Sequence, residues 1–330
     1  MKTFFVGIDI SKDWLDVAIC EGESMKVLVS FRNDNSVEGI EKIILKCAKS
    51  VAKQKLWYCF EHTGNYGLLL AHILENKSIT YSAVPALEIK RSIGMTRGKN
   101  DKVDAVRIAI YAAANHFKLS ETKLPGEKLL RIKHLLTLRG QLLKNSQQLQ
   151  NSRKSFLVAA KSVDLQDVIE DLNTKITELK KSILIIEEKI RTEINSSEDL
   201  TNTFNKVTSV KGVGLMIAAT MMVYTNNFTA FDDPRKFNCF AGLAPFGYSS
   251  GISITGKTRT SSLRNKTMKT LLFNGANTAI MYDHDLKKYY NRKKIEGKKH
   301  MTVINAVACK MVARIFAVIK REEPYVNLVR

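Results

Sequence analysis

Residues 4–31 hold three strand-length stretches: the apolar run Phe4-Phe5-Val6-Gly7-Ile8, a second run over 14–20, and a polar/apolar alternation over 26–31. Short polar turns separate them, which predicts a three-stranded antiparallel meander. The period then changes. Val37, Ile40, Ile43, Ile44 and Cys47 share one face of a helix over 36–49. A strand at 56–60, a helix at 66–75, a strand at 80–84 and a helix at about 101–114 follow. The order βββαβαβα predicts an α/β fold on a mixed sheet.

Residues 126–195 have no proline and almost no glycine, and their apolar positions repeat over a long range. Leu165, Ile169, Leu172, Ile176, Leu179, Ile183, Ile186 and Ile190 alternate steps of four and three, the seam of a coiled coil. A preceding helix over about 128–161 offers an antiparallel partner within the chain; the alternative is pairing between chains. From residue 201 glycines punctuate a mostly helical region that ends in an apolar helix over about 302–320. The expected domains are 1–120 (α/β), 121–200 (helical, coiled coil) and 201–330 (mostly helical).

With 330 residues, 45% of them hydrophobic, the chain is long enough for two or three cores and too apolar for general disorder. No apolar run reaches the roughly 20 residues of a membrane span, and a lysine interrupts the N-terminus before a signal-peptide core could form. Cys20, Cys47, Cys59, Cys239 and Cys309 are scattered and odd in number, which argues for reduced thiols and a cytosolic location. The net charge of +20 changes the picture more. Residues 201–330 hold 21 Lys and Arg against 7 Asp and Glu. The densest clusters are Lys257/Arg259, Arg264/Lys266/Lys269 and the lysines and arginines of 287–299. Such an excess points to a polyanionic partner bound through its phosphates; the bland alternative is a solvated basic surface.

Four acids have a chemistry in common. Asp9 ends the first strand and Glu61 the fourth, so adjacent strands would present two carboxylates at one sheet edge. Asp101 and Asp104, three apart at a helix start, face one side. Taken singly, each reads as a cap, turn or surface ion-pair residue. Together their hard oxygens suit magnesium or manganese, and a metal clamp on a phosphodiester needs about this many acids. A strand-ending Asp in a βββαβα frame, with a later Glu and an Asp pair, is the layout of ribonuclease-H-like (RuvC-like) nucleases.

Two further motifs lie downstream. Lys211-Gly212-Val213-Gly214 between short helices could offer backbone N–H groups to a phosphate, in the manner of a helix-hairpin-helix, or be a plain tight turn. Ser249-Ser250-Gly251 stands in a glycine-flanked loop just ahead of Lys257, Arg259, Arg264, Lys266 and Lys269. A hydroxyl there could attack a phosphodiester, although loop serines are usually solvated turn residues.

Gly7-Ile8-Asp9-Ile10-Ser11-Lys12 with Leu15-Asp16-Val17-Ala18, then Glu61-His62-Thr63-Gly64-Asn65-Tyr66, then Asp101-Lys102-Val103-Asp104, resemble the DEDD transposases of the insertion-sequence family that includes Piv-type DNA invertases. Val210-Lys-Gly212-Val-Gly214, Gly242-Leu-Ala-Pro245 and the Ser-Gly pair resemble that family's second domain, in the same order. The resemblance implies a RuvC-like catalytic domain with Asp9, Glu61, Asp101 and Asp104 as ligands of Mg2+ or Mn2+, and a coiled-coil oligomerisation segment. It also implies a transposase domain with Ser250 as nucleophile, Ser249 being its immediate neighbour. It further implies RNA-guided recombination, with a structured noncoding RNA, donor and target DNA, and a dimer or tetramer of the chain as partners. The alternative is a RuvC-like endonuclease or junction resolvase that cuts with metal-activated water and needs no serine. Two readings have less support. The further glycine-rich phosphate and adenosine loops of an actin-like ATPase or sugar kinase are missing, and a non-catalytic scaffold would not need all four acids.

Overall fold

β1 (Thr3–Ile10), β2 (Trp14–Glu21) and β3 (Val27–Asp34) form the meander that the alternation predicts. They are followed by α1 (Val37–Ser50), β4 (Lys55–Glu61), α2 (Leu68–Asn76), β5 (Tyr81–Val84), α3 (Ala86–Ile93) and α4 (Asp101–Ala114). The computed structural model describes residues 2–51, 54–62, 64–93, 101–250 and 254–326. Its five-stranded sheet runs β3-β2-β1-β4-β5, with β1 antiparallel to β2 and parallel to β4. This is the mixed, ribonuclease-H-like sheet expected from the order of elements. Only α3 was not legible, because two turns are too short to establish a period.

Strand side chains alternate between faces, and each face of this sheet is covered. Phe4, Val6, Ile8 and Ile10 pack with Ile40 and Ile43 of α1 and with Leu70 and Leu74 of α2. On the other face Phe5, Ala18, Cys20 and Cys59 pack with Ala105, Ile108, Ala109 and Ala112 of α4. Ser36 caps α1 by accepting from the Gly39 N–H at 3.1 Å.

The chain divides into two compact units, Met1–Leu124 and Pro125–Arg330. The second begins with a helical hairpin, α5 (Glu127–Ala159) and α6 (Gln166–Asn195). Arg131–Glu193 at 2.8 Å, Arg139–Glu187 at 2.6 Å and Arg153 Nη1 to Asn173 Oδ1 at 2.9 Å fix an antiparallel register. All eight seam positions, from Leu165 just ahead of α6 to Ile190, are buried or half-buried, and Ile186 and Ile190 pack with Leu129 and Ile132 of α5. Of the two partners that the periodicity allowed, the seam takes the one in its own chain.

α7 (Glu198–Thr208), α8 (Leu215–Tyr224), α9 (Pro234–Phe240), α10 (Lys266–Tyr282), α11 (His284–Ile295) and α12 (His300–Arg321) complete this unit. By length and hydropathy alone α12 could cross a membrane. Its Ile304, Val307, Met311 and Ile315 instead lie in the core with Val207, Ile217, Phe237 and Leu272. β6 (Pro245–Ser250) and β7 (Ile254–Thr260) pair as a hairpin between α9 and α10. Ser249 and Ser250 are therefore strand residues, paired with Thr255 and Ile254, where glycine flanks had suggested a loop. The β-branched residues Ile254, Thr255, Thr258 and Thr260 account for the extended backbone.

Candidate active site

The β1–β4 register pairs Ile8 with Phe60, so the next residues, Asp9 and Glu61, stand side by side at the ends of parallel strands. Neighbouring strands lie about 4.8 Å apart. By alternation Asp9 shares the face of Gly7, and Glu61 that of Cys59, which is the face covered by α4. Both acids are half-buried.

Across the antiparallel pairing Asp9 faces Asp16, and Asp16 in turn faces Arg32 on β3. Asp16 is 2% exposed, and Arg32 clamps it through Nε, at 3.1 Å from each carboxylate oxygen, and through Nη2 at 2.7 Å. Opposed like charges on a sheet repel. The bidentate guanidinium offsets that repulsion and makes burial of the Asp16 carboxylate tolerable. Arg32, Asp16, Asp9 and Glu61 thus form one row across four strands. Only the last two had been singled out as site residues. Asp16 and Arg32 were missed because the pairing that joins them is made between neighbouring strands and carries no local signal.

The direction of α4 follows from two contacts on β1. Phe5 meets His116, just past the end of α4, with ring centroids 6.2 Å apart. Gly7 meets the backbone of Ala105 and Ala109. Moving up the strand from Phe5 to Gly7 therefore moves back along the helix, so the first turn of α4 lies nearest Asp9. Asp104 in that turn is half-buried, and Arg107 Nη1 donates to its Oδ1 at 2.8 Å. Asp101 opens the helix, and its side chain lies outside the described residues. Among the described residues, no three His, Cys, Asp or Glu side chains gather closely enough to hold a metal ion. The hard carboxylates of Asp9 and Glu61, adjacent on one face beneath a helix turn that carries two more acids, match the donor chemistry of Mg2+ or Mn2+.

In the second unit, Ser250 ends β6; its side chain and those of Lys257 and Arg259 lie outside the described residues, as does Gly251 altogether. Lys211 is exposed. Gly212 has φ +88 and packs on Gly275 and Ala279 of α10, a close approach that only glycine permits, whereas Gly214 opens α8 with free space around it. The Arg264 side chain lies across Gly242, and its Nη1 donates to the Ser261 carbonyl at 3.0 Å. Lys269 Nζ donates to the Gly242 carbonyl at 2.8 Å and to Thr260 Oγ1 at 3.2 Å, tying both ends of the β6–β7 hairpin to α10. Burial, then the Arg264 charge, lower the Lys269 pKa from its ordinary value. Lys266 is exposed on the first turn of α10.

A family model for a DEDD transposase of the IS110 type matches residues 6–161, and one described as the transposase of the IS116/IS110/IS902 family matches residues 205–291. The chain belongs to this transposase family. Relatives include the pilin gene-inverting proteins of Moraxella bovis and Moraxella lacunata, each 24% identical with 98% of both chains covered. Another is a transposase for insertion sequence element IS1111A from Coxiella burnetii, 24% identical over 69% of this chain and 68% of its own. Among solved structures, Thermus thermophilus RuvC in complex with a Holliday junction substrate covers 36% of this chain and 99% of its own, at 12% identity and a TM-score of 0.28. Membership makes the protein a transposase or recombinase, with DNA as the substrate to be cut and rejoined.

Proposed function

We propose that this transposase exchanges DNA strands with Ser250 as nucleophile and an acidic tetrad, Asp9, Glu61, Asp101 and Asp104, that holds Mg2+ or Mn2+. The juxtaposition of Asp9 and Glu61 beneath the first turn of α4 carries the reading. A divalent ion bound there would neutralise charge that develops on the scissile phosphate. The rigid strand ends hold the two carboxylates in place, and the Gly7 contact holds the helix turn above them. Arg32 keeps the neighbouring Asp16 charge from adding to the repulsion at Asp9.

Attack by the Ser250 Oγ forms a serine–phosphate ester and breaks a backbone P–O bond. The departing sugar oxygen takes up a proton, and rejoining reverses the exchange. Because the ester conserves the phosphodiester, no external energy source is required. Lys257 and Arg259 on β7 and Lys266 at the start of α10 supply positive charge for the phosphates. The resemblance supports a structured noncoding RNA as guide, pairing with donor and target DNA, and assembly of the chain as a dimer or tetramer.

The test is cleavage of end-labelled donor DNA with magnesium and the element's terminal RNA. Asp9→Asn, Glu61→Gln, Asp104→Asn and Ser250→Ala should each abolish it, while circular dichroism stays unchanged. Cleavage retained by Ser250→Ala would instead establish the water-driven nuclease.

A further inference from the structure

We propose that a groove at the base of the α5–α6 hairpin seats the sugar-phosphate backbone of a nucleic-acid strand. The groove encloses about 620 Å³ between α5, α8 and the first turn of α10. This rests on the reading of the protein as one that handles nucleic acid. It assigns a binding role to a helix whose periodicity pointed only to helix pairing.

Charge is the first observation. Lys133 and Lys144 of α5 and Lys266 of α10 line the groove together with Arg139, and no acid lines it. Arg139 is engaged by Glu187. The three lysines have no ion-pair partner among the described residues. Lys133, Thr137, Gly140 and Lys144 are spaced i, i+4, i+7 and i+11, which puts them on one helix face. From Lys133 to Lys144 the helix rises about 16 Å, comparable to the rise of about five nucleotides at ~3.4 Å each along a duplex strand.

Gly140 is the second, independent observation. It lies inside a 33-residue helix, where glycine is a poor choice against alanine. A Cβ built there meets nothing within 4 Å, so no internal packing demands the glycine. Glycine in that setting suits close approach of a ligand to the helix backbone. Tyr224, 39% exposed on the groove wall, adds a ring face and a hydroxyl, both useful to a nucleic acid. An acidic peptide would also meet the lysines. The nucleic acid is favoured because the groove continues, through Lys266, into the turn that follows the Ser250 hairpin.

The test uses the full chain and fluorescein-labelled 30-mers of single-stranded DNA, duplex DNA and RNA, with binding read by anisotropy over a range of salt. Gly140→Ala should raise the melting temperature yet weaken binding at least threefold, a combination that a merely structural glycine would not produce. Lys133→Ala with Lys144→Ala should weaken binding about tenfold. The same pair should reduce the slope of log K against log salt by about 1.4–1.8, two phosphates at 0.7–0.9 each. Lys180→Ala with Lys181→Ala, exposed on the far part of α6, should leave that slope unchanged. The probe that suffers most identifies the strand as DNA or RNA. Unchanged binding by Gly140→Ala on all three probes would overturn the proposal, as would equal losses from the two lysine pairs or equally effective competition by polyglutamate. Cleavage retained by Ser250→Ala with these binding effects intact would count against the proposed function alone. Intact cleavage with unchanged binding would count against the groove alone.

Discussion

Gly7 and Ala109 meet backbone to backbone: a methyl group on Gly7 would fall inside the main chain of α4, against the Ala109 amide and the Ala105 carbonyl. The helix that carries Asp101 and Asp104 is thereby held against the strand that ends in Asp9. Gly7→Ala should force α4 outward, lower stability by about 1–3 kcal/mol through overpacking, and abolish DNA cleavage. Chemical denaturation and the cleavage assay check both effects. A variant with normal stability and activity would show that α4 can shift without affecting the acids.

The Asp16–Arg32 pair predicts an asymmetry. Arg32→Ala leaves a carboxylate of 2% exposure unpaired beside Asp9 and should cost about 1–3 kcal/mol, discounted for the exposure of the arginine. The double change Asp16→Asn with Arg32→Ala should recover part of that loss, because the unpaired charge is gone. Urea midpoints for the single and double variants decide it.

Alkaline pH should weaken the fold through its buried thiols. Burial pushes the pKa values of both Cys47 and Cys59 up to about 12, against about 8.5 in an unfolded chain. The folded state therefore holds protons that the unfolded state releases. Their contribution is complete below about pH 8.5 and is lost as pH rises from there towards 12. Urea midpoints should fall over that range, and replacing both cysteines by valine should flatten the fall. In native protein a thiol reagent should modify the exposed Cys239 quickly, and Cys20, Cys47 and Cys59 only on unfolding.

Asp283 does two jobs with one buried carboxylate. It caps α11 by accepting from the Leu286 N–H at 2.9 Å and pairs with Arg314 of α12 at 2.6 Å. Asp283→Ala should cost about 3–5 kcal/mol, whereas Asp283→Asn keeps the cap and should cost clearly less. Thermal melts of the two variants separate the cap from the charge.

How legible each feature was depended on the distance over which it is encoded. Alternation in 4–31 and 56–60 is local, so the sheet could be read, and with it the two strand ends that set Asp9 beside Glu61. The seam of α6 was equally plain, but its periodicity named no partner; the arginine–glutamate pairs to α5 decide that. Ser249 and Ser250 read as loop residues because glycines flank them, while the threonines that hold β7 extended lie further along the chain. Lys269 counted towards a basic run, yet its ammonium is turned onto the Gly242 carbonyl. Composition records a charge and not its direction. The groove over Gly140 was beyond sequence reading, since it exists only where α5 packs beside α8 and α10.

Strand exchange through a serine ester can be caught by trapping the reaction midway. The protein is incubated with magnesium, the element's RNA and end-labelled donor DNA, then quenched in denaturant and digested for peptide mapping. A covalent DNA adduct should form on the peptide containing Ser250 and be absent from Ser250→Ala and from Asp9→Asn. Cut DNA with free ends and no protein attached would contradict it.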